Sequence, residues 1–259
     1  MKKPARILYC HCANTHLVSD QARADVLRAL EESGEPFLAV ADLCERAAQG
    51  DPLLKKLAAG PVRIVACYPR AIRWLFAFGG APLGKDAVIH NLRTQPAEEI
   101  IAALGMADAK AATKKPRGKT QPAVSAADLA PKPPGEWIPW FPTIDYDRCK
   151  GCRQCVAFCM FGTYAVTDEG RVRVAQPAKC KTNCPACARV CPESAIIFAK
   201  YKDGPIAGDE GRLAEPAQAG MKRDAAGVAQ ADVLEAIRRR NTRAKAAPSA
   251  GESGESSPR

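Results

Sequence analysis

Of the twelve cysteines in this chain, those from Cys149 to Cys191 restrict its fold more than any other feature. They form two runs. The first reads Cys149-Lys-Gly-Cys152-Arg-Gln-Cys155-Val-Ala-Phe-Cys159, and the second reads Cys180-Lys-Thr-Asn-Cys184-Pro-Ala-Cys187-Ala-Arg-Val-Cys191-Pro192. Thiols this dense either pair as disulfides or hold metal. A disulfide scaffold belongs to an oxidising compartment. The stretch Met1–Cys12 is basic and then apolar only at Ile7, Leu8 and Tyr9, too short for the apolar segment of a secretory signal. No run of about eighteen apolar residues occurs, so no transmembrane segment is expected. The cysteines are therefore expected to be reduced thiolates that hold metal in a cytoplasmic protein.

The spacing suits a cube of iron and sulfide better than single ions. Such a cube presents four irons at tetrahedral corners. Three thiolates on a tight loop can grip three of them, and the fourth thiolate comes from elsewhere. Two zinc sites of four thiolates each are the alternative. Paired zinc knuckles separate their cysteine pairs by longer gaps, and a four-cysteine run ending in Cys-Pro favours iron–sulfur.

The gaps of two, two and three residues in the first run, and the terminal Cys191-Pro192 of the second, resemble those of bacterial-type 2×(4Fe–4S) ferredoxins. The resemblance implies an α+β domain in which the distant cysteine of each run serves the partner cluster. One 4Fe–4S cluster would take Cys149, Cys152, Cys155 and Cys191. The other would take Cys180, Cys184, Cys187 and Cys159. That exchange ties the halves together, so neither is expected to fold well without metal. Met160 stands where the first run usually has Pro, and one extra residue lies between Cys180 and Cys184. Neither departure removes a ligand, but either can alter hydrogen bonds to sulfur. Ile144, Phe161, Tyr164, Val166, Val172, Val174, Ile196 and Ile197 are available to cover the clusters.

The chain of 259 residues divides into four parts by pattern. Residues 1–107 alternate strand and helix, which predicts a small parallel sheet with helices on its faces. Strands are expected at Arg6–Cys10, Phe37–Val40, Val62–Cys67 and Ala87–Leu92. Helices are expected at Ser19–Glu32, capped by Ser19 and ended by Gly34, at Asp42–Ala48 and Asp51–Ala58, at Pro69–Phe78, and at Pro96–Leu104. Residues 108–135 read as a flexible Ala/Lys/Pro linker. Residues 136–201 hold the two cysteine runs. Residues 202–259 read as a mostly disordered tail with one short helix at Val228–Arg240. The fold class is thus α/β, with a small parallel-sheet N-terminal domain linked to an α+β two-cluster ferredoxin-like domain.

Four cysteines remain. Cys10 and Cys12 end the first strand, Cys44 follows the second and Cys67 ends the third. In a parallel sheet these positions share the carboxyl edge, where such folds place ligands. Convergence there would make a site for a third 4Fe–4S cluster or for zinc, with redox-active thiols and inert buried cysteines as the alternatives. Arg70 is close enough in sequence to offset thiolate charge. The strings Tyr9-Cys10-His11-Cys12-Ala13-Asn14, Asp42-Leu43-Cys44 and Ala66-Cys67-Tyr68-Pro69-Arg70 resemble the N-terminal part of the flavin-binding subunit of heterodisulfide reductase. That part holds its own iron–sulfur cluster in the family. The flavin-binding part itself is missing here, since no Gly-x-Gly-x-x-Gly fingerprint occurs.

The formal charge is +10, and basic side chains crowd the cysteine runs at Arg148, Lys150, Arg153, Lys179, Lys181 and Arg189. Positive charge there favours the reduced cluster and a redox protein partner with an acidic docking surface. No nucleic acid partner is expected. The function that follows is single-electron relay between redox partners, as a subunit or adaptor of a larger oxidoreductase system. The alternatives are a catalytic thiol/disulfide reductase using the N-terminal cysteines, and an interaction protein in which clusters only hold the fold.

Overall fold

A computed structural model describes residues 6–106, 125–211 and 213. The helix expected at Val228–Arg240 lies outside the described residues. The N-terminal lobe is built on four parallel strands, β1 (Arg6–Cys10), β2 (Phe37–Val40), β3 (Val62–Ala66) and β4 (Val88–Asn91), in the order β2-β1-β3-β4. The first three are short, mainly apolar runs and β4 is half polar; β1 and β3 are nearly wholly buried because helices cover both faces.

Helix α1 (Asp20–Ser33) begins where the Ser19 hydroxyl accepts the Ala22 N–H, and it ends at Gly34 in the left-handed conformation. Helices α2 (Leu43–Ala48) and α3 (Pro52–Ala58) are capped by the carboxylates of Asp42 and Asp51. Helix α4 (Pro69–Phe78) starts on a proline, and α5 (Ala97–Ala103) completes the lobe. Helix α1 packs on α5, and α2 packs on α3 and α4. This α/β architecture is the one expected, with ends displaced by a residue or two.

The cysteine-rich lobe is an α+β unit with an internal two-fold repeat. Strand β5 (Thr143–Ile144) leads through the first run to α6 (Gln154–Phe158) and β6 (Tyr164–Val166). Strand β7 (Val172–Val174) leads through the second run to α7 (Ala186–Arg189) and β8 (Ile196–Ile197). The halves interlock: β5 pairs antiparallel with β8, β6 pairs antiparallel with β7, and α6 packs on α7. Ile144, Tyr164, Val172, Val174 and Ile196 enter its core with Trp140 and Phe198. Val166, expected to help cover the clusters, is instead exposed: it shares a face with Tyr164 and Val172 but lies at the turn end of the β6–β7 hairpin.

The lobes share one packed interface. Phe141, Ile197, Ala199 and Ala207 belong to the apolar core that includes the N-terminal sheet. Aromatic contacts cross it at Phe78–Phe141 (ring centroids 5.0 Å apart) and Trp74–Tyr146 (5.7 Å). Residues from Ser125 onward lie against the N-terminal lobe. Leu129 is buried, the Lys132 N–H donates to Asn14 at 2.8 Å, and the Lys132 ammonium pairs with Glu45 at 2.6 Å.

Helix α8 (Gly204–Ala207) ends at Gly208, whose φ is +100°. A Cβ there would lie 2.8 Å from Ala71 Cβ and 2.9 Å from the Ala71 nitrogen. Gly208→Ala should therefore combine left-handed strain with overpacking of about 1–3 kcal/mol. Gly105→Ala supplies a control, since Gly105 also has positive φ but open space around it. Thermal unfolding should show the larger loss in the Gly208 variant. Equal losses would mean that the close approach to α4 contributes nothing.

Candidate metal centres

The backbone turns in the same way in both cysteine runs. Gly151 precedes Cys152 with φ +71°, and Asn183 precedes Cys184 with φ +61°. Glycine enters this region freely, and asparagine more readily than most other residues. The extra residue of the second run thus lengthens the loop without displacing the turn before its second cysteine. Asn183 is a site residue that the spacing alone did not single out. Its residue type was the available signal.

Cys155 on α6 and Cys187 on α7 are buried, Cys152 is exposed, and the other five of these runs are half-buried. The thiols interact across runs. Cys155 lies within electrostatic reach of Cys191, Cys149 and Cys187, and Cys180 within reach of Cys187, Cys159 and Cys184. Cys159, Cys180, Cys184 and Cys187 line one largely apolar cavity of about 80 Å³, closed by residues that include Pro142, Phe161 and Tyr164. Four thiols around an apolar void are a donor set that fits an iron–sulfur cube. Hydrogen bonds already reach the sulfurs: the Tyr164 hydroxyl donates to Cys187 Sγ at 3.1 Å, and the Ala195 N–H donates to Cys191 Sγ at 3.3 Å.

Burial pushes Cys155 and Cys180 up to about 12 and Cys187 up to about 11. Cys159 behaves differently. Burial raises it too, but the Thr163 hydroxyl and the N–H groups of Thr163, Phe161 and Gly162 outweigh that and lower it.

The strand order reverses between β1 and β3, and at that switch point the N-terminal thiols gather. Cys12 Sγ lies 3.4 Å from Cys67 Sγ, and Cys10 Sγ accepts the Leu43 N–H at 3.4 Å. Cys10 lies within electrostatic reach of both Cys12 and Cys44. All four are buried. Cys12 takes a positive φ of 57°, a strained choice for a side chain of this kind. Among the described residues, no group of three or more His, Cys, Asp or Glu side chains is arranged to hold a single metal ion.

The cation at this site is Lys200 of the cysteine-rich lobe, not Arg70. Lys200 is buried and pairs with the Asp42 carboxylate. Burial would lower its pKa, but Cys44 and Asp42 hold it up. Asp42 also caps α2 through the Cys44 N–H and accepts from Asn14 Nδ2 at 2.8 Å. Arg70 turns to the other lobe. Lys200 does not stand out in the sequence, because it acquires its role only when the lobes dock.

A family described as a 4Fe-4S binding domain matches residues 141–164, which include Cys149, Cys152, Cys155 and Cys159. A ferredoxin of Methanothermococcus thermolithotrophicus is 43% identical over 56 residues, 21% of this chain and 90% of that protein. The chain belongs to the ferredoxin family. Ferredoxin-3 of a Nostoc species is 33% identical over 76 residues, 22% of this chain and 77% of its own length. An uncharacterized ferredoxin of Methanocaldococcus jannaschii is 47% identical over 66 residues, 25% of this chain. The matched stretch spans only 44% of that relative's length. No helix among the described residues is long and apolar enough to cross a membrane.

The raised thiols give the metal-free ferredoxin lobe a defined pH response. A thiol whose folded pKa exceeds its unfolded value of about 8.5 contributes stability that is present below that pH. The contribution is lost as pH rises toward the folded values of about 11 for Cys187 and about 12 for Cys155 and Cys180. The chelator-treated chain should therefore melt at a lower temperature at pH 10 than at pH 7.5, and metal loading at neutral pH should release protons. A melting temperature independent of pH would contradict the burial of these thiols.

Proposed function

We propose that this chain is a single-electron relay that carries two 4Fe–4S clusters in the ferredoxin lobe and a third thiolate-held centre in the N-terminal lobe. The observation that carries the reading is the mixing of the two runs around the cavity and α6. Cys155 lies near Cys191 of the other run as well as Cys149, and Cys159 of the first run lines the cavity with Cys180, Cys184 and Cys187. This supports the ligand exchange implied by the ferredoxin resemblance.

Each cluster, when bound, takes and gives one electron at a time. The chain's own residues hold and insulate it. Tyr164, Val172, Val174 and Ile196 exclude water, the Tyr164 hydroxyl and the Ala195 N–H donate to sulfur, and the basic loops favour the reduced state. In the N-terminal lobe, the convergence of Cys10, Cys12, Cys44 and Cys67 at the switch point supports a further centre, a 4Fe–4S cluster in preference to zinc. The likeness to heterodisulfide reductase supports the same assignment. A thiol/disulfide reductase would need a reachable thiol, and these four are buried, so the relay is the better reading. We place the relay in the cytoplasm, within a larger oxidoreductase system, with redox protein partners whose docking surfaces are acidic.

The test is an iron and sulfide assay of the full chain prepared without oxygen. About eight of each are expected from the ferredoxin lobe and about twelve with the third centre. Two zincs and no sulfide would refute the cluster reading. Cys191→Ala should damage the cluster served by Cys149, Cys152 and Cys155, and selective loss of the other spectroscopic signal would reverse the assignment. Electron transfer to an acidic partner should slow as salt rises. A flat salt profile would leave the basic loops as plain solvated surface.

A further inference from the structure

Arg70 stands in the first turn of α4, three residues beyond Cys67, and its guanidinium ends inside the ferredoxin lobe. Nε donates to Asp145 Oδ2 at 2.6 Å, Nη2 to the Ser194 carbonyl at 2.7 Å, and Nη1 to the Pro205 carbonyl at 3.2 Å. The Arg70 side chain is 3% exposed and that of Asp145 6%.

Two of these acceptors, Asp145 and Ser194, sit on the loops that carry Cys149 and Cys191, and Pro205 lies in α8. Asp145 follows β5. Its carbonyl accepts the Cys149 N–H at 2.9 Å, and its free carboxylate oxygen accepts the N–H groups of Asp147 and Arg148 at 3.1 and 3.3 Å. Its own N–H donates to the Ala195 carbonyl at 2.8 Å. Ala195 in turn donates its N–H to Cys191 Sγ. Ser194, gripped by Arg70, is held at φ +50°, and its N–H donates to the Cys191 carbonyl at 3.2 Å.

We propose that Arg70 of the N-terminal lobe is a positioning residue for the cluster that takes Cys149 and Cys191. The assignment rests on the two-cluster reading above. A guanidinium presents a rigid fork of donors, and here it fixes a carboxylate and two carbonyls at once. Through Asp145 it sets the loop of Cys149. Through Ser194 it sets the donor to Cys191 sulfur. Weakening the grip removes stabilisation of the reduced, more negative cluster and leaves the Asp145 charge less well paired. Both effects move the potential of that cluster in the negative direction, and neither acts directly on the cavity lined by Cys159, Cys180, Cys184 and Cys187.

The experiment is a redox titration of the full, cluster-loaded chain followed by electron paramagnetic resonance. Arg70→Lys and Arg70→Gln are compared with wild type, and Cys152→Ser identifies which signal belongs to the Cys149–Cys191 cluster. Lysine keeps the charge but cannot reach all three acceptors, so Arg70→Lys should shift that signal's midpoint to more negative potential and leave the signal of the cluster at Cys159, Cys180, Cys184 and Cys187 unchanged. Arg70→Gln should shift it further or lose that cluster. If the glutamine variant does not fold, the lysine variant carries the result. A lysine variant that titrates like wild type in every signal, or that shifts all of them equally, overturns the proposal. A wild-type chain with a single signal would overturn the two-cluster reading itself, and it would do so before any variant is compared.

Discussion

Two buried ion pairs, exchanged reciprocally between the lobes, are the constraint on which the rest of the structure depends. The N-terminal lobe sends Arg70 to Asp145, and the ferredoxin lobe sends Lys200 to Asp42. Each carboxylate has a second task. Asp145 organises the loop before Cys149, and Asp42 caps the helix that holds Cys44. Removing one partner of such a pair strands a charge in the interior, typically at a cost of about 3–5 kcal/mol. Docking and the geometry of the thiols are therefore one problem, not two.

This arrangement bears on how electrons would pass through the chain. Here the aromatic contacts of Phe78 with Phe141 and of Trp74 with Tyr146 lie between the two thiol-bearing regions, and the apolar core is continuous across them. Apolar packing keeps water out and lowers the reorganisation that accompanies each change of charge. The same closure separates the two kinds of thiol site. The ferredoxin thiols surround a void, whereas Cys12 and Cys67 touch.

Much of the N-terminal lobe is legible in the sequence, because its signals are local. The apolar runs Arg6–Cys10 and Phe37–Val40 are strands as read, and Ser19 and Gly34 bound α1 through hydrogen bonding and left-handed geometry. The two cysteine runs are legible from their spacing, and the family match covers the first of them. What spacing could not convey is contact at long range. Arg70 and Asp145 are 75 positions apart, and Lys200 and Asp42 are 158 apart. Reading Arg70 as a neighbour of its own lobe's thiols was reasonable by sequence and wrong by topology, since helix α4 carries it to the docking face. Val166 differs for another reason: alternation puts it on the inner face with Tyr164, but the hairpin end carries it past the core.

The pairing of β5 with β8 brings the two ends of the ferredoxin lobe side by side. A unit whose ends meet can be placed within or beside another chain without stretching either, and in that topological sense the lobe is a cassette. Its surface is not. Phe141, Ile197 and Ala199 are committed to the N-terminal core, and Asp145 needs a cation that its own lobe does not supply. Transplanted alone, the lobe would present a bare apolar face with an unpaired carboxylate beside it.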